Sequence, residues 1–202
     1  MFGSGLVAAS FGLTAALYSR LPSVTPTHFN LMGQADCFVA KPLGPFVVPL
    51  IGLLAHGITV VVLRRQKSAL HVIPVALAAL FVAANAVLLR SALDATTDTT
   101  RVLIGGSSLF VAVLGNYLAK IRRNGWLGIR TPWTLADDEV WQRTHRLAGW
   151  LFVAVGSACF LAAVGGAPIA MVSGALAIVV TVPVVYSYVV FRRIAASHGR
   201  PA

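Results

Sequence analysis

The sequence predicts an all-α polytopic membrane protein, a bundle of six transmembrane helices. Hydrophobic residues make up 57% of the 202 residues and charged residues only 11%, whereas about a quarter of the residues in a soluble domain are charged. Apolar runs long enough to cross a hydrocarbon core of about 30 Å recur along the whole length. Residues 1–202 are therefore interpreted as a single integral membrane domain without a separate soluble part.

Six apolar runs define the predicted spans. In chain order they are approximately Phe2–Ser19, Gly44–Leu63, Val72–Leu93, Val102–Ala119, Leu147–Val164 and Ile169–Phe191. The first run has no Lys or Arg before it, so we interpret it as a retained helix rather than a secretory signal. Residues 1–63 should form an amino-terminal helical hairpin with an ordered outer loop at 20–44. Residues 102–191 should form a core with an inner loop at 120–146.

Lys and Arg predict the orientation, because loops rich in these residues stay in the cytoplasm. The first, third and fifth loops contain four of them, whereas the second loop, the fourth loop and the carboxyl-terminal tail contain twelve. Both termini and the fourth loop are thus predicted to be cytoplasmic. The net charge of +10 is interpreted as affinity for anionic lipid headgroups in the bilayer. No direct nucleic-acid partner is expected.

The loop between the first two spans contains several prolines, which exclude a regular helix, and Asn30 and Gly33 favour turns. It is therefore predicted to be an ordered, irregular loop on the membrane surface. His28, Asn30 and Asp36 lie close together in it. In the simplest interpretation, Asn30 and Asp36 bond the backbone of their own loop. One imidazole and one carboxylate are too few ligands for a metal site, so no metal is expected.

The predicted spans also contain polar and small residues. His56, Asn85 and Asn116 either form hydrogen bonds between helices or line a polar path. Residues 105–108, Gly-Gly-Ser-Ser, and Gly115 should allow close contact between helix backbones. The fourth span is therefore expected to lie at the centre of the bundle.

The stretch from Asn116 to Gly149 contains most of the chain's chemically distinctive residues. It holds six basic residues and half of the six acids, and all four tryptophans lie within it or one residue beyond: Trp126, Trp133, Trp141 and Trp150. Tryptophan is enriched at headgroup depth in membrane proteins. These four rings are expected to anchor the stretch at the cytoplasmic interface.

Local signals within this stretch predict turns and a short helix. Asn124-Gly125 and Gly128 favour turns, and Pro132 should stop a helix from running through. The pattern from Thr134 to Asp137 resembles a capping box, followed by acids in a first helical turn. A short interfacial helix is therefore predicted near 135–146.

Two interpretations of this inner stretch remain open. In the first it is an interfacial collar in which carboxylates neutralise arginines. In the second it forms a pocket or docking surface lined by Arg130, Asp137, Asp138, Arg143 and His145. The stretch has no Ser-His-Asp arrangement, HExxH motif or phosphate-binding loop. We therefore predict no catalytic residues, no enzyme activity and no cofactor.

Two segments resemble known families. Pro26-Thr-His-Phe-Asn-Leu-Met-Gly-Gln-Ala-Asp36 resembles an amino-terminal domain of unknown function that precedes many bacterial multi-span proteins. The second segment resembles the hallmark of the SdpI family of membrane immunity proteins; it reads Arg123-Asn-Gly-Trp-Leu-Gly-Ile-Arg-Thr-Pro-Trp-Thr-Leu135, followed by Val140-Trp-Gln-Arg-Thr-His-Arg-Leu-Ala-Gly149. The family is named for a protein that protects a bacterium from its own sporulation-delaying peptide toxin.

This resemblance implies an immunity protein of the bacterial inner membrane with an SdpI-like core. A peptide toxin outside would face the outer-loop residues His28, Asn30, Gly33 and Asp36. The family's namesake also sequesters a small cytoplasmic repressor, which implies an output surface on the inner stretch. That surface would comprise Asn124, Gly128, Arg130, Thr131, Pro132, Trp133, Asp137, Trp141, Arg143 and His145.

Two other classes of function are alternatives to immunity. A transport or channel component would use His56, Asn85 and Asn116 along a polar path. A membrane enzyme would use His28 with Asp36, or His145 with Asp137 and Asp138.

Overall fold

A computed structural model of the chain describes residues 2–30, 34–65, 71–94, 96 and 98–197. Within these ranges, six helices are long and apolar enough to cross a membrane. The predicted all-α polytopic fold is confirmed, and each predicted span corresponds to one of the six helices.

The helices and strands have the following bounds. The helices are α1 Phe2–Leu17, α2 Val47–Arg65, α3 Val72–Leu93, α4 Thr99–Leu118, α5 Pro132–Ala136, α6 Asp138–Val164 and α7 Ile169–Ser197. The strands are β1 Val24–Phe29 and β2 Ala35–Ala40. In the bundle, α3 packs against both α1 and α2, α6 packs against both α4 and α7, and α3 and α4 join the two groups.

The prediction of an irregular outer loop is wrong, because β1 and β2 form a two-stranded antiparallel sheet. Val24 pairs with Ala40 and Thr25 with Val39, and the register is irregular after Pro26. The prolines exclude a helix, but Pro26 fits at an irregularity in a strand, where the ladder does not require its missing N–H. β-branched residues at Val24, Thr25 and Val39 favour extended backbone. We call β1 and β2 together the outer hairpin.

Side chains fix the outer hairpin to one end of the bundle. Lys41 Nζ donates to the carbonyl oxygens of Tyr18 and Leu21, both at 2.7 Å. Thr100 Oγ1 donates to the Asn30 carbonyl oxygen at 3.4 Å. The outer hairpin therefore lies beside the carboxyl end of α1 and the amino end of α4.

Small residues bring α4 and α6 into backbone contact, as the sequence predicts. A Cβ added to Gly115 would lie 2.7 Å from Val153 N, and a Cβ added to Gly156 would lie 2.7 Å from Ala112 N. Ser108 on the same α4 face is fully buried. Larger side chains would force these backbones apart. Because α4 also contacts α3 and α7, it lies between the two groups of helices.

Polar groups in the amino-terminal helices form structural hydrogen bonds. Asn85 Nδ2 in α3 donates to Ser10 O at 3.2 Å and to Thr14 Oγ1 at 3.0 Å in α1. His56 Nδ1 in α2 donates to Pro74 O in α3 at 3.0 Å. These contacts support the interpretation of His56 and Asn85 as links between helices.

The turn between α6 and α7 is held by Arg101 at the start of α4. Its Nη1 donates to Ala163 O at 3.1 Å and to Ala167 O at 3.2 Å. Arg101 also donates to Asp98, and this contact holds the pKa of the Asp98 carboxyl below its ordinary value. Gly166 supplies the positive φ of 85° that the tight turn requires. The last two spans are therefore antiparallel neighbours, as predicted.

Candidate functional site

Residues 120–146 connect α4 to α6 and include the first turns of α6; we call them the inner segment. They lie at the carboxyl end of α4, whereas the outer hairpin contacts its amino end. Because α4 has 20 residues, its axis separates the two regions by about 30 Å.

Trp141 is a core residue of the inner segment. Its ring is 1% exposed and packs with Leu118, Ile121 and Phe152. Its Nε1 donates to Ile121 O at 2.7 Å, so the buried polar group is satisfied. Trp141 therefore packs inside the protein and does not present its ring to lipid headgroups, while its depth in the bilayer stays a prediction.

Trp126 and Trp150 are the solvent- or lipid-facing members of the four. Their exposed fractions are 63% and 74%. Exposed tryptophans on a membrane protein fit the predicted position at the bilayer interface.

His145 joins the loop to the helix beneath it. Its ring is buried and stacks on Trp141 with 4.0 Å between ring centroids. Because the amide of Ile129 can only donate, His145 Nε2 accepts its hydrogen bond at 2.9 Å. Nδ1 then donates to Trp141 O at 2.8 Å. Both ring nitrogens of the neutral imidazole are occupied by backbone groups.

Gly128 is the point where the loop passes closest to this histidine. Its φ of 115° lies in a region that other residues rarely adopt. A Cβ added here would overlap His145 Nε2 and lie 3.0 Å from the Trp141 ring. The sequence predicts the turn at Gly128, whereas the close approach to His145 depends on the tertiary structure.

Asn124 shapes the preceding turn, as predicted. Its Oδ1 accepts from the backbone amides of Trp126 and Leu127, both at 2.8 Å, and its Nδ2 donates to Arg122 O at 2.8 Å. This arrangement is an Asx turn. Asn124 therefore sets the direction in which Trp126 projects.

The capping box lies three residues earlier than predicted. Thr131 is the N-cap of α5, and its amide donates to Thr134 Oγ1 at 2.9 Å. Thr134 N donates to Thr131 Oγ1 at 3.3 Å. Pro132 occupies the first helical position, where its missing N–H costs nothing; no helix runs through it, as predicted, and α5 begins there.

The helix predicted near 135–146 corresponds mainly to the first turns of α6, which begins at Asp138, whereas the short helix α5 lies earlier, at Pro132–Ala136. Asp137 has extended backbone and is the N-cap of α6, accepting from Glu139 N at 2.7 Å and Val140 N at 3.0 Å. Residues 138–146 are consequently the first turns of the long α6. An Asp side chain stabilises a helix start better than it stabilises a helix interior, which explains the break.

Trp133 fastens α5 to α7. Its Nε1 donates to Ser187 Oγ at 2.6 Å, and its ring lies 5.2 Å from Tyr188 and 6.4 Å from Phe191 between centroids. Nothing local in the sequence identifies Ser187 as its partner, because the two residues are 54 positions apart.

The residues predicted to line a pocket do not gather at one site; they are Arg130, Asp137, Asp138, Arg143 and His145. Asp138 pairs with Arg123, and Glu139 pairs with Arg143 in the predicted i, i+4 arrangement. In the part of the chain that the structure describes, the exposed Arg130 side chain has no hydrogen-bond or ion-pair partner. Asp137 and His145 form hydrogen bonds with backbone groups, so neither side chain takes part in these ion pairs.

A groove of about 670 Å³ opens between the end of α4 and the start of α6. Of the predicted residues, Asn124, Asp138 and Trp141 contribute to its lining. The other polar contributors are Lys120, Arg122, Arg123, Gln142 and Arg146. The basic residues among them cluster at 120–123, followed by Arg146 on α6, and this clustering is the sequence signal that could have indicated the groove.

In the outer hairpin, His28 and Asp36 face each other across the two strands. His28 Nδ1 lies 2.6 Å from Asp36 Oδ1, and their side chains are 68% and 43% exposed. Asn30 Oδ1 accepts from Gln34 N at 3.0 Å, whereas Gly33 lies outside the described residues. Among the described residues, no third His, Cys, Asp or Glu joins the pair in a potential metal site.

Comparison with known proteins identifies both regions. Residues 120–187 match the SdpI/YfhL protein family, and residues 5–53 match a domain of unknown function, DUF1648. The chain is also similar to Immunity protein SdpI from Bacillus subtilis (strain 168), with 26% identity over 155 residues. That similarity covers 75% of this chain and 74% of the relative. No solved structure is significantly similar to the chain.

The DUF1648 match covers the outer hairpin and the SdpI/YfhL match covers the inner segment, which confirms the resemblance predicted from their motifs. The chain is therefore a multi-pass membrane protein whose residues 120–187 match the SdpI/YfhL protein family and whose residues 5–53 match DUF1648.

Proposed function

We propose that this chain is an immunity protein of the bacterial inner membrane that protects its host against a membrane-active peptide. The observation that carries this proposal is the similarity to Immunity protein SdpI, which extends over about three quarters of both chains. A match of this extent includes most of the membrane bundle rather than one motif.

The proposed orientation places the outer hairpin outside and both termini in the cytoplasm. Support comes from the excess of Lys and Arg in alternate loops. The contact between Thr100 and Asn30 adds support, because it holds the outer hairpin at the end of α4 opposite the inner segment. A peptide arriving from outside would meet the outer hairpin first.

The surface of the outer hairpin suits an amphipathic peptide. The polar pair His28–Asp36 is exposed, and Phe38 on the same hairpin is 56% exposed. Polar and apolar groups side by side can contact both faces of a peptide that partitions into membranes. In this proposal His28, Asn30 and Asp36 contact the peptide, together with Gly33, which lies outside the described residues.

The inner segment would transmit peptide binding to a cytoplasmic repressor. Its buried members Trp141 and His145 rest on α4 and α6, so a shift between these helices would change the loop that they support. The exposed Arg130 and Arg143 offer contacts to an acidic or polar partner surface. We therefore assign the scaffold to the buried residues and the output surface to the exposed ones.

The test is protection of a sensitive host. The chain would be produced in a Bacillus subtilis strain lacking Immunity protein SdpI, and membrane depolarisation and survival would be measured after addition of the sporulation-delaying peptide toxin. Protection well above that of an empty-vector strain is expected. Absence of protection, with the chain present in the membrane at the level of the native relative, would contradict the proposal.

The transport alternative, and the enzyme alternative that uses His145 with Asp137 and Asp138, gain no support from the structure. Asn116 Nδ2 donates to Ala112 O in its own helix, at 3.3 Å, and Asn85 is bonded to α1. The ring nitrogens of His145 are both bonded to backbone groups, and Asp137 caps α6. These side chains serve the fold instead of converging on a common path or reaction centre.

A further inference from the structure

The groove between α4 and α6 has a strongly basic lining. Four cationic side chains, Lys120, Arg122, Arg123 and Arg146, face a single carboxylate, Asp138. The groove volume of about 670 Å³ is large enough for a headgroup or a small phosphorylated molecule. We call it the basic groove.

The charges of the basic groove are only partly neutralised by the protein. Arg123 Nε lies 2.5 Å from Asp138 Oδ1, and its Nη1 donates to Leu135 O, so these two ionic groups satisfy each other. Lys120 Nζ lies 4.9 Å from the centre of the Tyr117 ring. Among the described residues Lys120 forms no ion pair, so its positive charge is not balanced by a carboxylate there.

Arg122 and Arg146 are the two arginines of the basic groove whose charges are available to a ligand. Within the described ranges, neither guanidinium group has an ion-pair or hydrogen-bond partner. One lies in the loop after α4 and the other on the third turn of α6, so they approach the basic groove from different elements. Two planar guanidinium groups can bind phosphate oxygens in a bidentate manner, while an ammonium group adds a point charge.

The position of the basic groove brings it near the bilayer surface. The exposed Trp126 lies four residues after Arg122, and the exposed Trp150 lies four residues after Arg146. Exposed tryptophans mark headgroup depth in membrane proteins. Phosphate groups of lipids lie at this depth, and dissolved phosphates reach it from the aqueous side.

We propose that the basic groove binds a negatively charged phosphate group, with Arg122 and Arg146 as its principal contacts and Lys120 as a third. Gln142 lines the same groove and supplies an amide donor. The phosphate is that of an anionic lipid headgroup or of a free phosphate. The basic groove is separate from the proposed peptide-facing residues, which lie at the other end of α4, and neither Arg130 nor Arg143 of the proposed output surface lines it.

The test uses the purified full-length chain in detergent and native mass spectrometry with phosphatidylglycerol or phosphatidylcholine added. The groove variant combines Arg122→Gln with Arg146→Gln. The control variant combines Arg192→Gln with Arg193→Gln near the end of α7, outside the basic groove, and changes the net charge by the same amount. Circular dichroism and size exclusion would establish that the variants are folded.

The wild-type chain and the control variant should retain phosphatidylglycerol in preference to phosphatidylcholine. The groove variant should lose about tenfold or more in apparent affinity, because each charge-assisted hydrogen bond alone is worth roughly that factor. Arg146→Gln alone should give a smaller loss, which keeps the test informative if the double variant does not fold.

Addition of inorganic phosphate distinguishes the two sources of the ligand. Displacement of the lipid by millimolar phosphate would support a site open to free phosphate, and retention of the lipid would support a headgroup site. Equal losses in the groove and control variants would overturn the proposal, because the binding would then follow net charge. Absence of both lipid preference and phosphate binding in the wild-type chain would also overturn it.

Discussion

The outer hairpin and the inner segment both contain sequence motifs, but the side chains of the two motifs differ in exposure and in bonding partners. In the outer hairpin, His28 and Asp36 remain exposed and contact each other. In the inner segment, Trp141 and His145 are almost completely buried and bond backbone groups of the loop. A motif in a membrane protein can therefore mark either a surface that meets a partner or a scaffold that holds one loop in place. Mutations should separate these two roles.

The largest expected effect on stability is at Trp141. Trp141→Ala removes a buried aromatic ring and leaves Ile121 O without its hydrogen bond, which should lower the free energy of unfolding by about 3–5 kcal/mol. The measurement is denaturant or thermal unfolding of the chain in detergent. The matched control is Trp150→Ala, at a 74% exposed ring, for which little change is expected. Equal losses at the two positions would contradict the assignment of Trp141 as scaffold.

His145 should show the next largest effect. His145→Ala leaves the Ile129 amide and the Trp141 carbonyl without their side-chain partner, and an unsatisfied buried polar group costs about 1–3 kcal/mol. Amide hydrogen exchange should speed up at Ile129 while remaining slow in α3. Unchanged exchange at Ile129 would show that this hydrogen bond does not hold the loop.

Gly128 offers a comparison within the loop itself. Gly128→Ala forces a Cβ into His145 at a positive φ, and the strain should destabilise the chain by about 1–3 kcal/mol. Gly125→Ala is the control, because an added Cβ meets nothing within 4 Å there. The midpoint of thermal unfolding should fall only for the variant at Gly128. A similar fall for both variants would mean that general loop flexibility, rather than the contact with His145, decides the result.

The outer hairpin should give the smallest effect on stability and a large effect on protection. His28→Ala and Asp36→Ala break an exposed pair, and such pairs contribute at most about 1 kcal/mol. Peptide protection should nevertheless be lost if these residues face the peptide. Asp94→Asn, on the next outer loop, is the control that should preserve protection. Full protection in both hairpin variants would remove them from the proposed peptide-facing surface.

Features that depend on neighbouring residues could be predicted from the sequence. The six spans follow from uninterrupted apolar runs, and the turn at Asn124 follows from an amide side chain that bonds its own backbone. The small residues around Gly115 and Ser108 likewise indicated the close contact of α4 with its neighbour.

Features that depend on distant residues could not be predicted in this way. The burial of Trp141 depends on its bond to Ile121, 20 positions away. The prolines of the outer hairpin correctly predicted that no helix forms there. They also led to the prediction of an irregular loop, whereas the structure contains two short paired strands.

The central claim is that the outer hairpin and the inner segment face opposite sides of the membrane. Native Cys37 is exposed on the outer hairpin, and Cys159 is buried. Intact cells would be treated with an impermeant thiol reagent, comparing a Cys159→Ala chain with one that combines Cys159→Ala, Cys37→Ser and Arg130→Cys. We expect labelling at Cys37 in intact cells, and labelling at position 130 only after the cells are opened. Labelling of both positions in intact cells would contradict the proposed orientation and the separation of peptide binding from cytoplasmic output.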